Sequence, residues 1–183
     1  LMLDDHRRRS HDALLRAPKG DATRPTTDRV KESLFSILDG RIDGAVCVDL
    51  CCGAGGLGIE ALSRGAASCV FVDRAPDAVD AARRNLETLG VEPGQWSVVR
   101  GEALDWLTRE LGPPGAELVI FADPPYSSNL VLDLCPLAAA DGGRARLLVF
   151  EHEVGSGPEA LPGWSLDRRR YGRSELSILE RER

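Results

Sequence analysis

Apolar positions change period repeatedly along this chain, and the changes mark out its elements. From residue 45 onward, short apolar runs alternate with stretches in which apolar residues recur at helical spacing, the pattern of a parallel sheet with crossover helices. The runs predict strands over residues 45–50, 68–73, 96–100, 117–122 and 146–151. Between them, residues 57–64 have helical spacing in Leu57, Ala61 and Leu62 and end at Gly65, a residue suited to a left-handed cap. Pro76-Asp77 opens a second helix whose Val79, Ala82, Leu86 and Leu89 share a face before Gly90 stops it. Further helices are predicted over 103–111 and about 129–140. Residues 164–171 and 175–180 then alternate around Gly172-Arg173, the signature of a closing hairpin. The fold class is therefore α/β, a Rossmann-like sheet of seven strands, mostly parallel with a C-terminal antiparallel hairpin and helices on both faces.

Ahead of the sheet, residues 27–38 predict one more helix, with Asp28 and Glu32 near its positive end. We expect residues 1–44 to form an N-terminal extension on the substrate side of a cofactor-binding domain over residues 45–183.

A length of 183 residues fits one domain with a sizeable core. Charge changes the picture because it is unevenly spread. Residues 1–41 hold nine Lys/Arg against seven Asp/Glu and residues 164–183 six against four, while the middle holds eight against eighteen. Net acidity makes the whole a poor nonspecific polyanion binder, so any nucleic-acid surface must be local and the two ends are where to look. The five cysteines form no C-x-x-C pair, and with three histidines they predict no metal site; we expect them to be reduced and packed. Residues 1–10 are charged and no stretch reaches the roughly 18 apolar residues of a membrane span. A cytoplasmic monomer with no membrane partner is expected.

Candidate chemistry starts at Asp49, where the first strand runs into Cys51-Cys52-Gly53-Ala54-Gly55-Gly56-Leu57-Gly58. This G-x-G-x-x-G stands between a strand and a helix, the context that gives the motif meaning. In a nicotinamide site the glycines would let the backbone approach a pyrophosphate at the helix N-terminus. Asp49 would repel that group, but would attract the cationic amino-acid end of S-adenosylmethionine. Asp73, ending the second strand, can accept both ribose hydroxyls, or cap the helix at Pro76. After the third strand, Glu102 is placed to accept from an adenine amino group, with its backbone neighbours as the alternative; Arg74 and Ala103 flank the same pocket. Cys51 belongs to the cofactor loop, and packing beneath it is expected rather than reactivity.

The fourth strand ends in Asp123-Pro124-Pro125-Tyr126. A nucleobase amino nitrogen is a poor nucleophile because its lone pair is delocalised into the ring. Accepting both N–H hydrogens, at the Asp123 carboxylate and the Pro124 carbonyl, would orient that lone pair at a methyl donor while Tyr126 stacks on the base. Pro124 and Pro125 restrict the backbone that presents these groups. A strand-ending turn would use the same residue types.

These residues resemble the RsmD-type methyltransferases, which modify the N2 amino group of a guanine in bacterial small-subunit ribosomal RNA. Three blocks carry the resemblance: Arg24-Pro25-Thr26-Thr27-Asp28-Arg29-Val30-Lys31-Glu32-Ser33-Leu34-Phe35, Asp49 through Ala66, and Asp123 to Tyr126. The resemblance implies the seven-stranded class I methyltransferase fold. It further implies that Asp49, Gly53, Gly55 and Asp73 hold S-adenosylmethionine, with Gly58 closing the glycine motif. Asp123 to Tyr126 would hold guanine, and Arg24, Thr26 and Arg29 would lie by the mouth, toward ribosomal RNA or an assembling 30S particle. Residues 1–22 and Cys51-Cys52 depart from the family's pattern; Arg7-Arg8-Arg9 could bind phosphate there or be a solvated run. His152, after the fifth predicted strand, is either a base or a strand-end polar residue. Alternatives within the chemistry are a DNA adenine-N6 or a protein-glutamine methyltransferase. From other classes come a nicotinamide-dependent oxidoreductase, which leaves Asp49 and Asp123 to Tyr126 idle, and a silent binding protein, in which a broken motif would be expected.

Overall fold

The computed structural model describes residues 28–109, 115–140 and 144–182. In chain order these form α1 (Asp28–Ile37), β1 (Val46–Leu50), α2 (Gly56–Ser63), β2 (Ser68–Asp73), α3 (Pro76–Thr88), β3 (Trp96–Arg100), α4 (Ala103–Arg109), β4 (Leu118–Ala122), α5 (Leu130–Ala139), β5 (Ala145–Glu153), β6 (Trp164–Tyr171) and β7 (Ser174–Arg181). All seven strands join one sheet in the order β3-β2-β1-β4-β5-β7-β6. The first five are parallel, and β7 runs antiparallel to both β5 and β6. It is the mostly parallel α/β sheet with a C-terminal antiparallel pair that the alternation predicts.

Central strands explain their own sequences. Every residue of β4 is buried, because a parallel sheet covered by helices on both faces needs near-continuous apolar runs. Phe71, Phe121 and Val149 pack on one face against α1, α2 and α3, whose Phe35, Ile59 and Leu86 belong to the same buried cluster. On the other face Val48, Ile120 and Phe150 meet Trp106 of α4 and Leu134 of α5. At the outer edge, β6 buries Trp164 and half-buries Leu166 before its exposed run 167–170. Charge on an edge strand blocks pairing with another sheet.

Chain progression reverses direction between β1 and β4: β2 and β3 lie on one side of β1, and β4 and β5 on the other. Open α/β sheets bind ligands in the crevice at the carboxyl ends of the strands where this reversal occurs. Asp49 and Asp123 stand at the ends of those two strands.

Candidate active site

Asp49 is the next-to-last residue of β1 and is buried. Its Oδ2 accepts the Gly58 N–H at 2.8 Å. The N-cap residue of α2 is Gly55, with φ 87°, which has no side chain to cap the first turn, so a carboxylate from the preceding strand does it. Burial pushes the Asp49 carboxyl well above the usual carboxylate range; the Gly58 N–H pulls the other way, and Asp123 and Asp73 push it further up.

Gly53 has φ 54° and donates its N–H to Asp73 Oδ2 at 2.9 Å. The other Asp73 oxygen accepts the Ala75 N–H at 2.9 Å, at the start of α3. Asp73 thus braces the entrance to α3 and the glycine loop together, and each carboxylate oxygen still has a further lone pair. Asn85 of α3, which the sequence pattern does not single out, is buried and donates to the Ala54 carbonyl at 3.0 Å.

Gly58 faces the sheet. A Cβ there would lie 2.3 Å from Phe71 Cε1 and 2.7 Å from Cys69 Sγ, so this glycine serves helix-to-strand contact. Its link to the candidate site is the N–H that it donates to Asp49.

Cys51 has φ 57°, a left-handed conformation uncommon for a residue with a side chain. Its thiol is pushed up to about 12, first by burial and then by Asp73, Asp49, Asp123 and Glu102. Such a thiol carries no thiolate at neutral pH, in keeping with a packed cysteine. Asp73 and Asp49 bond to the loop and the helix that follows it, and Asp123 and Glu102 are near enough to act on Cys51 electrostatically. Glu102 and Arg74 are exposed at the rim of the site, 3.9 Å apart, while Ala103 is buried at the start of α4.

Asp123 and Tyr126 are half-buried, Pro124 is buried and Pro125 exposed. The segment turns sharply, with Ser128 donating its N–H to the Pro125 carbonyl at 3.0 Å and its hydroxyl to the same oxygen at 2.8 Å. The Tyr126 hydroxyl bonds to Ser174 Oγ and donates to Glu151 Oε1 at 3.3 Å. Burial, Glu151 and Asp123 hold that phenol above its usual range, partly offset by the bond to Ser174. Tethered at its hydroxyl, the ring has its long axis held near Asp123. Ser174 and the buried Glu151 are functional neighbours that sequence spacing does not reveal, because they come from β7 and β5.

His152 lies inside β5, not beyond it, with Nε2 bonded to Ser177 Oγ at 2.7 Å and Nδ1 to the Glu153 carbonyl at 2.9 Å. It is a packed strand residue. Arg29 is exposed on the first turn of α1. Arg24, Thr26 and Arg7 to Arg9 lie outside the described residues. Among the described residues no cluster of metal-ligating side chains occurs, and no helix is long and apolar enough to cross a membrane.

Comparison with known proteins now adds what geometry does not. The model of the family described as "Conserved hypothetical protein 95" matches residues 9–180. Ribosomal RNA small subunit methyltransferase D of Escherichia coli K12 is 34% identical over 172 residues, 92% of this chain and 84% of that protein. The chain belongs to the RsmD family. Among solved structures, the Escherichia coli protein yhhF superposes on this RsmD-family member with a TM-score of 0.76 at 33% identity, covering 92% of this chain and 91% of that one. An RNA methyltransferase from Salinibacter ruber, solved with S-adenosyl-L-homocysteine, shares the fold at a TM-score of 0.63 and 21% identity, covering 87% and 94% of the two chains.

Proposed function

We propose that this RsmD-family protein transfers a methyl group from S-adenosylmethionine to the exocyclic N2 amino group of a guanine in small-subunit ribosomal RNA. The observation that carries the reading is the convergence of Asp49, Asp73, Asp123 and Glu102 on the glycine loop at the switch point of the sheet. An anionic pocket favours a ligand carrying ammonium and sulfonium charge and opposes a pyrophosphate. The name of the Escherichia coli relative supports ribosomal RNA as the substrate class.

Gly53 and Gly55 shape the loop, Asp49 faces the cationic end of the cofactor, and Asp73 accepts from its ribose. Cys51, Arg74, Glu102 and Ala103 line the remainder, with Gly58 supporting from beneath. Bound there, S-adenosylmethionine supplies an electrophilic methyl group. The Asp123 carboxylate and Pro124 carbonyl accept the two amino N–H groups, which orients the nitrogen lone pair outward from them. Pro125 fixes the turn, and Tyr126 offers a ring face on a side chain anchored at its hydroxyl by Ser174 and Glu151. Arg24, Thr26 and Arg29 contact the RNA at the mouth.

Single-turnover transfer of labelled methyl to small-subunit RNA or particles, with cofactor saturating, tests this. Asp123→Ala should slow transfer at least about a hundredfold, the scale for removing one preorganised electrostatic group. Asp123→Asn keeps one acceptor oxygen and should retain more. Stability should change little, because Asp123 and the buried Asp49 repel one another. Near-normal transfer by Asp123→Ala, or label at any position other than guanine N2, would overturn the proposal.

A further inference from the structure

The C-terminal hairpin ends beside the candidate site. Strands β5 and β6 point the same way, since each is antiparallel to β7. The tip, Tyr171-Gly172-Arg173-Ser174, therefore emerges at the same sheet edge as Asp123. Gly172, with φ 63°, opens the two-residue turn, as a turn with glycine in its first central position requires. Ser174 touches Tyr126 directly, and the Tyr171 hydroxyl bonds to Ser33 of α1 at 2.6 Å. One helical turn before Ser33, on the same face of α1, is Arg29. Arg29 and the turn residue Arg173 thus approach the tip from two distant parts of the sequence, while Arg170, adjacent to Tyr171 in β6, faces the other side of the sheet.

Arginines dominate the hairpin near its tip. Arg168, Arg169, Arg170 and Arg173 stand against Asp167 and Glu175 on the hairpin, with Glu153 nearby. Asp167 holds Arg169 at 2.9 Å. Arg168 is engaged with the Pro158 carbonyl at 2.5 Å and lies 4.0 Å from Glu175. Arg170, exposed, stands opposite Glu175 across the β6–β7 pair and donates to the Gly172 carbonyl at 3.2 Å. Arg173 pairs with Glu153 at 3.3 Å, but both side chains are well exposed, so a stronger anion can displace the carboxylate at small cost. From β4 to β6 is three strand spacings of about 4.8 Å, or about 14 Å across the sheet. That distance suits the backbone of nucleotides flanking a base held at Asp123.

We propose that the β6–β7 hairpin tip is a second RNA-contact surface, in which Arg170 and Arg173, with Arg29, hold phosphates adjacent to the target nucleotide. The proposal rests on the RNA reading of the site.

Binding of small-subunit RNA across a salt series, for the wild type and for Arg170→Gln with Arg173→Gln, tests it. Each phosphate contact contributes about 0.7–0.9 to the slope of log affinity against log salt, so the double variant should be flatter by about 1.4–1.8. KM for RNA should rise, while kcat and affinity for S-adenosylhomocysteine stay the same. Arg170→Lys with Arg173→Lys keeps the charge and should restore the slope, which guards against a folding defect in the first pair. Arg84→Gln with Arg109→Gln, on the outer surfaces of α3 and α4, is the charge-matched control and should not move it. An unchanged slope and KM in the glutamine pair would overturn the proposal. So would an unchanged slope on naked RNA with methylation of assembled particles impaired, because the tip would then be contacting ribosomal protein. A wild-type protein that neither binds nor methylates RNA would instead sink the reading of the site itself.

Discussion

Burial holds the Asp49 carboxyl well above the usual carboxylate range, and its bond to the Gly58 N–H offsets this only in part. The unfolded chain therefore releases this proton at lower pH than the folded chain does. Ionisation of Asp49 opposes folding, and the opposition grows as pH rises above about 4 until the folded group itself titrates. A residue that costs stability at neutral pH, at the switch point of the sheet, is what the proposed cationic ligand would offset on binding. Asp49→Asn should therefore leave the ligand-free protein at least as stable as the wild type, with an advantage that widens as pH rises above about 4, since the amide oxygen still accepts the Gly58 N–H. S-adenosylmethionine affinity should fall. Thermal melts across a pH series, paired with calorimetry, check both parts. If the asparagine variant loses stability relative to the wild type as pH rises, the ionised carboxylate is a structural brace.

Gly58 shows how an element can be legible while its reason is not. The strand, loop and helix are all apparent from the sequence, and every predicted strand agrees with the structure to within two residues at either end. Yet G-x-G-x-x-G fits both close approach to a cofactor and close approach of helix to sheet; only the position of Phe71 separates the two. Gly58→Ala should destabilise the protein by about 1–3 kcal/mol through overpacking of α2 against β2. Urea unfolding measures it, and a change within a few tenths of a kcal/mol would mean that Phe71 and Cys69 yield freely. Strand β5 extends to Glu153 because β7 pairs with it as far as Ser174, and this longer pairing places His152 inside the sheet. No local pattern announces that. The same limit hides Asn85, Glu151 and Ser174 as partners of the site: polar residues declare their role only when the segments they bridge are brought together. Asp123 to Tyr126 stands out in the sequence as a candidate because its four residue types are contiguous at a strand end.

At the scale of the whole molecule, α1 is built into the core of the sheet domain. Val30, Leu34 and Phe35 are buried in the cluster that contains Phe71 and Phe121. The Phe35 and Phe121 rings lie 5.7 Å apart, and the Arg64 guanidinium sits 5.3 Å from the Phe35 centroid. Phe121 is two residues before Asp123, so the helix that carries Arg29 shares a packed wall with the strand that carries the proposed base-binding carboxylate. Under the proposed function, a contact of this kind would fix Arg29 relative to Asp123, as positioning catalysis requires. It also makes a thermodynamic claim about residues 28–37. Were they a loosely attached extension, truncating Phe35 would cost little and leave the sheet's unfolding unmoved. Buried without exposure, Phe35→Ala should instead remove about 3–5 kcal/mol, the usual range for a phenylalanine lost from a well-packed core. Helix and sheet should unfold in one transition, with far-ultraviolet circular dichroism and tryptophan fluorescence coincident, since Trp96, Trp106 and Trp164 report from the sheet and from α4. A loss below about 1 kcal/mol, or a helix transition that precedes the tryptophan signal, would show that α1 docks on the sheet without sharing its cooperative core.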